Sequence, residues 1–200
     1  MVCQRSTLAS MARMTRAERQ AQTRAKLVAT ARQMFFTDGY HPTSLEKVAD
    51  AAGYSKGAVY SNFRNKDELC AAVLDEVRAE RLSAAVATFS QSDRFEALRH
   101  WAEQVIGDPG WTPLEAEFAM HARSNDQMRT ELAERLNGII HMLADGIESA
   151  DDLEMTMAGR EAATTLLALG IGLGLMRSID PSIPVDGLVD TLRLLAGQTL

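Results

Sequence analysis

Residues 43–63, TSLEKVADAAGYSKGAVYSNF, constrain the fold of this chain more than any other stretch. Thr43 and Glu46 have the spacing of a capping box, in which each side chain satisfies a backbone N–H at the start of a helix. Leu45, Val48 and Ala49 then fall on one face of the helix that follows. Gly53 interrupts it, and Ser55 offers a fresh N-cap for a second short helix over 56–63. Val59 and Phe63 on that second helix are placed to pack against the first. The small residues of Ala51-Ala52-Gly53-Tyr54 let the chain turn sharply between the two, and the whole reads as a helix-turn-helix.

The surroundings agree. A helix over 16–37 carries Leu27, Ala31, Met34 and Phe35 on one face and ends at Asp38-Gly39, and His41-Pro42 keeps the following backbone extended. Asn65 and Glu68 repeat the capping-box spacing and open a longer helix near Lys66, with a stripe of Leu69, Val73, Leu74 and Val77 that continues toward Phe89 and links two domains. Breaks at 91–93 and 107–110 bracket a helix bearing Phe95, Leu98, Trp101, Ala102 and Val105. Further helices are predicted over 113–123, 126–148, 154–178 and 185–198, with Pro181 and Pro184 in the last connection. Apolar residues recur every three or four positions and β-branched alternation is scarce, so the fold class is all-α. Three parts are predicted: a basic arm over 1–20, a three-helix helix-turn-helix DNA-binding domain over 21–81 with its motif at 44–63, and a helical effector-binding and dimerisation domain over 82–200.

Charge separates these parts. The net charge of −6 conceals that residues 1–66 hold 11 Lys and Arg against 4 Asp and Glu, whereas the remainder holds 10 against 23. A basic module neutralises phosphates, and an acidic body is repelled by them. Two cysteines, Cys3 and Cys70, are too few for a disulfide framework and lack zinc-site spacing, which points to a reducing cytoplasm. The N-terminus has no signal-peptide core, and the longest apolar run, 166–176, is shorter than the roughly 20 residues that cross a bilayer, so no membrane span is expected. Met1, Met11 and Met14 are alternative starts. The arm's Arg5, Arg13, Arg16 and Arg19 have two readings, a minor-groove or phosphate contact and a solubilising tail.

On the second helix of the motif, Lys56, Ala58, Tyr60, Ser61 and Asn62 are too polar or too small to be mainly core. Lys56 suits phosphate or guanine, Ala58 a thymine methyl, Tyr60 phosphate or base, and Gly57 removes bulk where backbone meets DNA. Phe63 belongs to the core. The run TSLEKVADAAGYSKGAVYSNFRNKDEL with the preceding FFTDGYHP resembles the DNA-binding domain of the TetR family, over about residues 21–81. The resemblance implies phosphate contacts from Thr43, Tyr60 and Lys66 and groove contacts from Ser55, Lys56, Gly57 and Ser61, with Ser44 anchoring the first helix. Ser61-Asn62 departs from the larger aromatic and histidine of many relatives.

The same resemblance implies that the C-terminal part dimerises and binds a small-molecule effector. Residues 166–176 are apolar on all sides, with Gly170 and Gly174 four apart. Leu166, Gly170, Gly174, Leu188, Leu192 and Leu195 are therefore candidates for a dimer interface, the alternative being an intramolecular core. Trp101, Trp111, Glu117, Phe118, His121 and Met142 are candidates for an effector pocket. His121 and His141 lack metal-ligand spacing, and no phosphate loop or nucleophile elbow is present, so no metal, no cofactor and no catalysis are expected. The predicted partners are a double-stranded palindromic operator, a second copy of the chain and an effector that releases a repressor. Activation, and architectural DNA binding of weak specificity, are the alternatives.

Overall fold

A computed structural model of the chain describes residues 14–88, 90–150 and 154–199; Arg5, Arg13 and two of the three alternative starts lie outside these. Among the described residues there are nine helices and no strand. Helix α1 (Arg16–Asp38) opens with a complete capping box between Thr15 and Glu18 and buries Leu27, Val28, Ala31 and Phe35. It closes at Gly39, whose φ of 86° suits a residue without Cβ.

Helices α2 (Leu45–Ala52) and α3 (Lys56–Tyr60) form the helix-turn-helix. The cap of α2 lies one residue later than the sequence pattern indicates. Ser44 Oγ accepts from Lys47 N at 3.3 Å, while Thr43, only 2% exposed, turns inward and donates its hydroxyl to Gly39 O. With Ser44 as cap, Lys47 rather than Glu46 holds the third helical position, so no capping box closes here. Ser55 caps α3 through Ala58 N, as its position predicts. Helix α4 (Lys66–Thr88) follows, with Asn65 Oδ1 accepting from Glu68 N; the Glu68 carboxylate turns to Arg64 instead of closing the box.

The remaining helices are α5 (Arg94–Val105), α6 (Trp111–Ala122), α7 (Asp126–Glu148), α8 (Gly159–Ile179) and α9 (Asp186–Leu195). Helix α6 starts two residues before Pro113, because Asp108 Oδ1 accepts from both Gly110 N and Trp111 N and because a proline in the first turn lacks only an N–H that has no helical partner. Helix α8 starts later than the pattern from residue 154 indicates, since Thr156 N donates to Leu195 O and ties that segment to the end of α9. Helix α8 has 21 residues, and an 18-residue window in it has a mean hydropathy of 1.5, so by length and composition alone it is apolar enough to cross a membrane. The run 166–176 understates it because Ala162, Ala163 and Ile179 extend the apolar stretch.

Two main cores result. The first joins α1 to α4 and is completed by Trp111, Leu114 and Phe118 of α6, so a helix from beyond residue 81 is part of the packing that holds the motif. The second gathers Leu98, Ile140, Ile147, Ala162, Val189 and Leu192 from α5, α7, α8 and α9.

Candidate nucleic-acid interface and interhelical cavity

The motif is rigid underneath and polar on top. Leu45, Val48, Ala49, Val59 and Phe63 are buried against α1 and α4, which leaves Ser55, Lys56, Gly57, Tyr60 and Ser61 exposed along one side and Ala58 half-buried. Tyr60, 49% exposed, donates its hydroxyl to Glu46 Oε1 at 2.6 Å, so α2 orients the reading side chain of α3. That hydrogen bond holds the Glu46 carboxyl below its ordinary range and raises the Tyr60 phenol above its own. Asn62 is committed locally, with Nδ2 donating to Ala58 O, and its backbone oxygen accepts from Arg24, whose guanidinium lies 4.2 Å from the Phe63 ring centre.

Two residues expected at phosphates face inward in this conformation. The Thr43 hydroxyl is buried on Gly39 O, and Lys66 Nζ donates to Tyr40 O at 3.0 Å and His41 O at 3.3 Å while sitting 4.0 Å from the Tyr40 ring centre. Around them lies a junction that the sequence pattern did not reveal. Tyr40 is 2% exposed, its hydroxyl donates to Asp67, and burial together with that carboxylate pushes the phenol far up. His121 Nε2 approaches Asp67 at 3.5 Å, and Glu117 Oε2 accepts from Tyr40 N at 3.0 Å. Helix α6 thereby grips the loop that leads into the motif.

A cavity of about 530 Å³ lies between α4, α5, α6, α7 and α8. Of the candidate effector-pocket residues, Trp101 and Trp111 line it. Glu117, Phe118 and His121 do not, because they occupy the opposite face of α6, toward Tyr40; Met142 is exposed on α7. The lining also includes Arg78, Arg81, Thr112 and Glu115, which no sequence motif marks. Leu166, Gly170, Gly174 and Leu188 face this cavity, and Leu192 and Leu195 pack in the second core, so the six dimer candidates turn inward within one protomer. The apolar side chains left exposed on α8 and α9 are Ile171, Leu175, Met176, Ile179 and Leu194, of which Ile171 and Leu175 also line the open side of the cavity. Among the described residues no three His, Cys, Asp or Glu side chains converge as metal ligands.

Comparison with known proteins fits this architecture. Residues 27–73 match the family described as bacterial regulatory proteins, tetR family. The chain is similar to the HTH-type transcriptional regulator TtgR of Pseudomonas putida, with 29% identity over 171 residues that cover 84% of this chain and 71% of TtgR. It is 36% identical over 95 residues to the probable acrEF/envCD operon repressor of Escherichia coli, covering 44% and 41% of the two chains. The solved structure of reduced E. coli NemR shares the fold, with a TM-score of 0.69 at 22% identity over 86% of this chain and 96% of that one.

Proposed function

Because this chain belongs to the TetR family of transcriptional regulators, we propose that it acts as a homodimeric repressor that reads a palindromic operator and is released from it by a small molecule. The observation that carries this reading is the exposed side of α3 and its C-cap, where Lys56, Gly57, Tyr60 and Ser61, with half-buried Ala58 between them, are presented over a buried apolar base. A helix so supported enters a major groove as a unit while α2 crosses the phosphates. Ser55 adds a groove contact, Ser44 anchors the first helix of the motif, the basic N-terminal segment supplies backbone contacts, and Thr43 and Lys66 join it once the loop at Tyr40 rearranges. Repression is preferred to activation because the relatives named repressors match 44% and 54% of this chain, whereas the one named an activator matches 26%. Sequence-specific reading is preferred to architectural binding because Glu46 holds Tyr60 in one orientation.

Dimerisation is supported by the exposed apolar side chains of α8 and α9. Ile171, Leu175, Met176 and Ile179 recur at three- and four-residue spacing, and Ile179 is 87% exposed in a single protomer. A second copy covers them, and two motifs then face half-sites about 34 Å apart or a multiple of that. The cavity is the effector site. A bound molecule shifts the conformational equilibrium by its preference for one state, and α6 carries the shift, since it lines the cavity on one side and holds Tyr40 on the other.

Selection from random duplexes tests the reading. A common palindrome, bound by the dimer and lost on Lys56→Ala with Tyr60→Ala, is the expected result. Enrichment of no sequence would leave only non-specific, salt-sensitive binding and end the operator proposal.

A further inference from the structure

The lining of the cavity indicates what it accepts, an inference that rests on the effector reading above. Its volume of about 530 Å³ falls within the roughly 300–1,000 Å³ of sites for drug-sized ligands. The side chains around it are almost all apolar, among them Leu82, Leu98, Leu143, Leu167 and both tryptophans.

Three ionisable groups reach the lining, and each already has a partner. Arg78 is bonded to Glu115 at 3.0 Å and lies 3.7 Å from Asp75, and Arg81 pairs with Asp108 at 3.0 Å. Asp75 is shared with Arg135 at 3.1 Å, and Arg135 also lies 3.9 Å from Glu131, so Arg78, Arg81 and Arg135 face four carboxylates. Both cavity guanidinium groups also lie over the Trp111 ring, at 5.6 and 5.1 Å. A charged ligand would have to break one of these pairs and leave a partner uncompensated in an apolar space. The Trp101 indole N–H is likewise committed, to Arg81 O at 3.2 Å.

Thr112 is different. It is only 8% exposed and lines the cavity from the first turn of α6, and its hydroxyl has no hydrogen-bond partner among the described residues. An unpaired hydroxyl in a largely apolar cavity whose charged groups are already paired favours a ligand that satisfies it. We propose that the cavity takes an uncharged, largely apolar molecule carrying one hydrogen-bonding group, and that Thr112 is the residue that bonds this group. Space is kept open opposite by Gly170, where an added Cβ would meet no atom within 4 Å.

The chain has two tryptophans and both line the cavity, so intrinsic fluorescence reports occupancy directly. The full-length protein is titrated at pH 7 with 4-phenylphenol, biphenyl, biphenyl-4-carboxylate and 4-biphenylmethylammonium. The phenol should bind at least tenfold more tightly than either ion. Thr112→Val should weaken the phenol by about 3- to 10-fold and leave biphenyl unchanged, and Gly170→Leu, whose Cβ meets no atom within 4 Å and whose branched side chain takes up part of the cavity, should weaken binding of both at least tenfold while the protein stays folded. Equal binding of an ion, equal losses for phenol and biphenyl on Thr112→Val, undiminished binding to Gly170→Leu, or no binding of the phenol up to its solubility limit would each overturn the proposal. Binding that follows the expected pattern but fails to release operator DNA would instead refute the effector reading and leave the ligand class standing.

Discussion

Lys56 and Lys66 look alike in the sequence and have different work in the fold. Lys56 stands exposed at the start of α3, whereas the Lys66 ammonium closes the Tyr40 loop through two backbone carbonyls and an aromatic face. Lys56→Ala should therefore weaken operator binding, reduce the salt slope by about one and leave the melting temperature unchanged. Lys66→Ala should lower stability by about 1–2 kcal/mol, read as a loss of several degrees in thermal unfolding. A normal melting temperature with a reduced salt slope for Lys66→Ala would show that this lysine serves phosphate alone. Cys70 is set by burial in the same way. Desolvation first, and Asp67 second, push its thiol far above the ordinary range, so raising pH from 7 to 9 should produce little thiolate in the native protein. In a Cys3→Ser background, a thiol-reactive disulfide should label Cys70 slowly and with little pH dependence until urea unfolds the chain. Fast labelling that climbs tenfold per pH unit would contradict this.

Elements were legible wherever local chemistry decides them. Ser55 capping α3, the halt of α2 at Gly53 and the stripe of α4 follow from side-chain hydrogen bonding, backbone sterics and periodicity, all of which act over a few residues. The inward turn of Thr43 did not follow, because its alternative acceptor, Gly39 O, becomes available only when the loop folds back on itself. The facing of α8 was equally hidden. A helix apolar on every side carries no moment to say which stripe lines a cavity and which meets a partner, so Gly170 and Gly174 could be read outward when they point inward. The two faces of α6 were likewise indistinguishable by composition, and this placed Glu117 and His121 with the effector instead of with Tyr40. Two glycines put these readings to a quantitative test. Gly53 has φ of 75° with no atom within 4 Å of an added Cβ, so Gly53→Ala should destabilise by about 1 kcal/mol through backbone strain alone. Gly170 sits in a regular helix beside open space, so Gly170→Ala should stabilise by up to about 1 kcal/mol. Chemical denaturation of the two proteins should move midpoints in opposite directions; a loss for Gly170→Ala would mean that another surface closes over that position.

At the scale of the molecule, the DNA-reading motif and the cavity are joined by two helices that begin or end in both. Helix α4 runs about 35 Å, at 1.5 Å per residue, from Lys66 beside the Tyr40 loop past Arg78 and Arg81 at the cavity. Helix α6 is shorter and more direct. Thr112, Glu115 and Ala119 line the cavity, and Leu114 and Phe118, on its other side, are part of the motif's core. Between them Glu117 links α6 to the Tyr40 backbone, and the Tyr40 N–H has no other acceptor among the described residues. If coupling runs through this contact, breaking it should uncouple the sites without damaging either. Glu117→Ala should bind 4-phenylphenol within twofold of the parent protein, because residue 117 does not line the cavity. Its operator affinity should respond less to that ligand, the coupling falling by about 0.5–2 kcal/mol from the 1–3 kcal/mol that separates most linked sites. Glu117→Gln, which keeps an oxygen for Tyr40 N–H, should restore most of the response. Linkage supplies an internal check, since the factor by which ligand weakens DNA binding must equal the factor by which DNA weakens ligand binding in each variant. A Glu117→Ala protein with full coupling in both directions would move the path to α4 and to the contacts of Arg78 and Arg81.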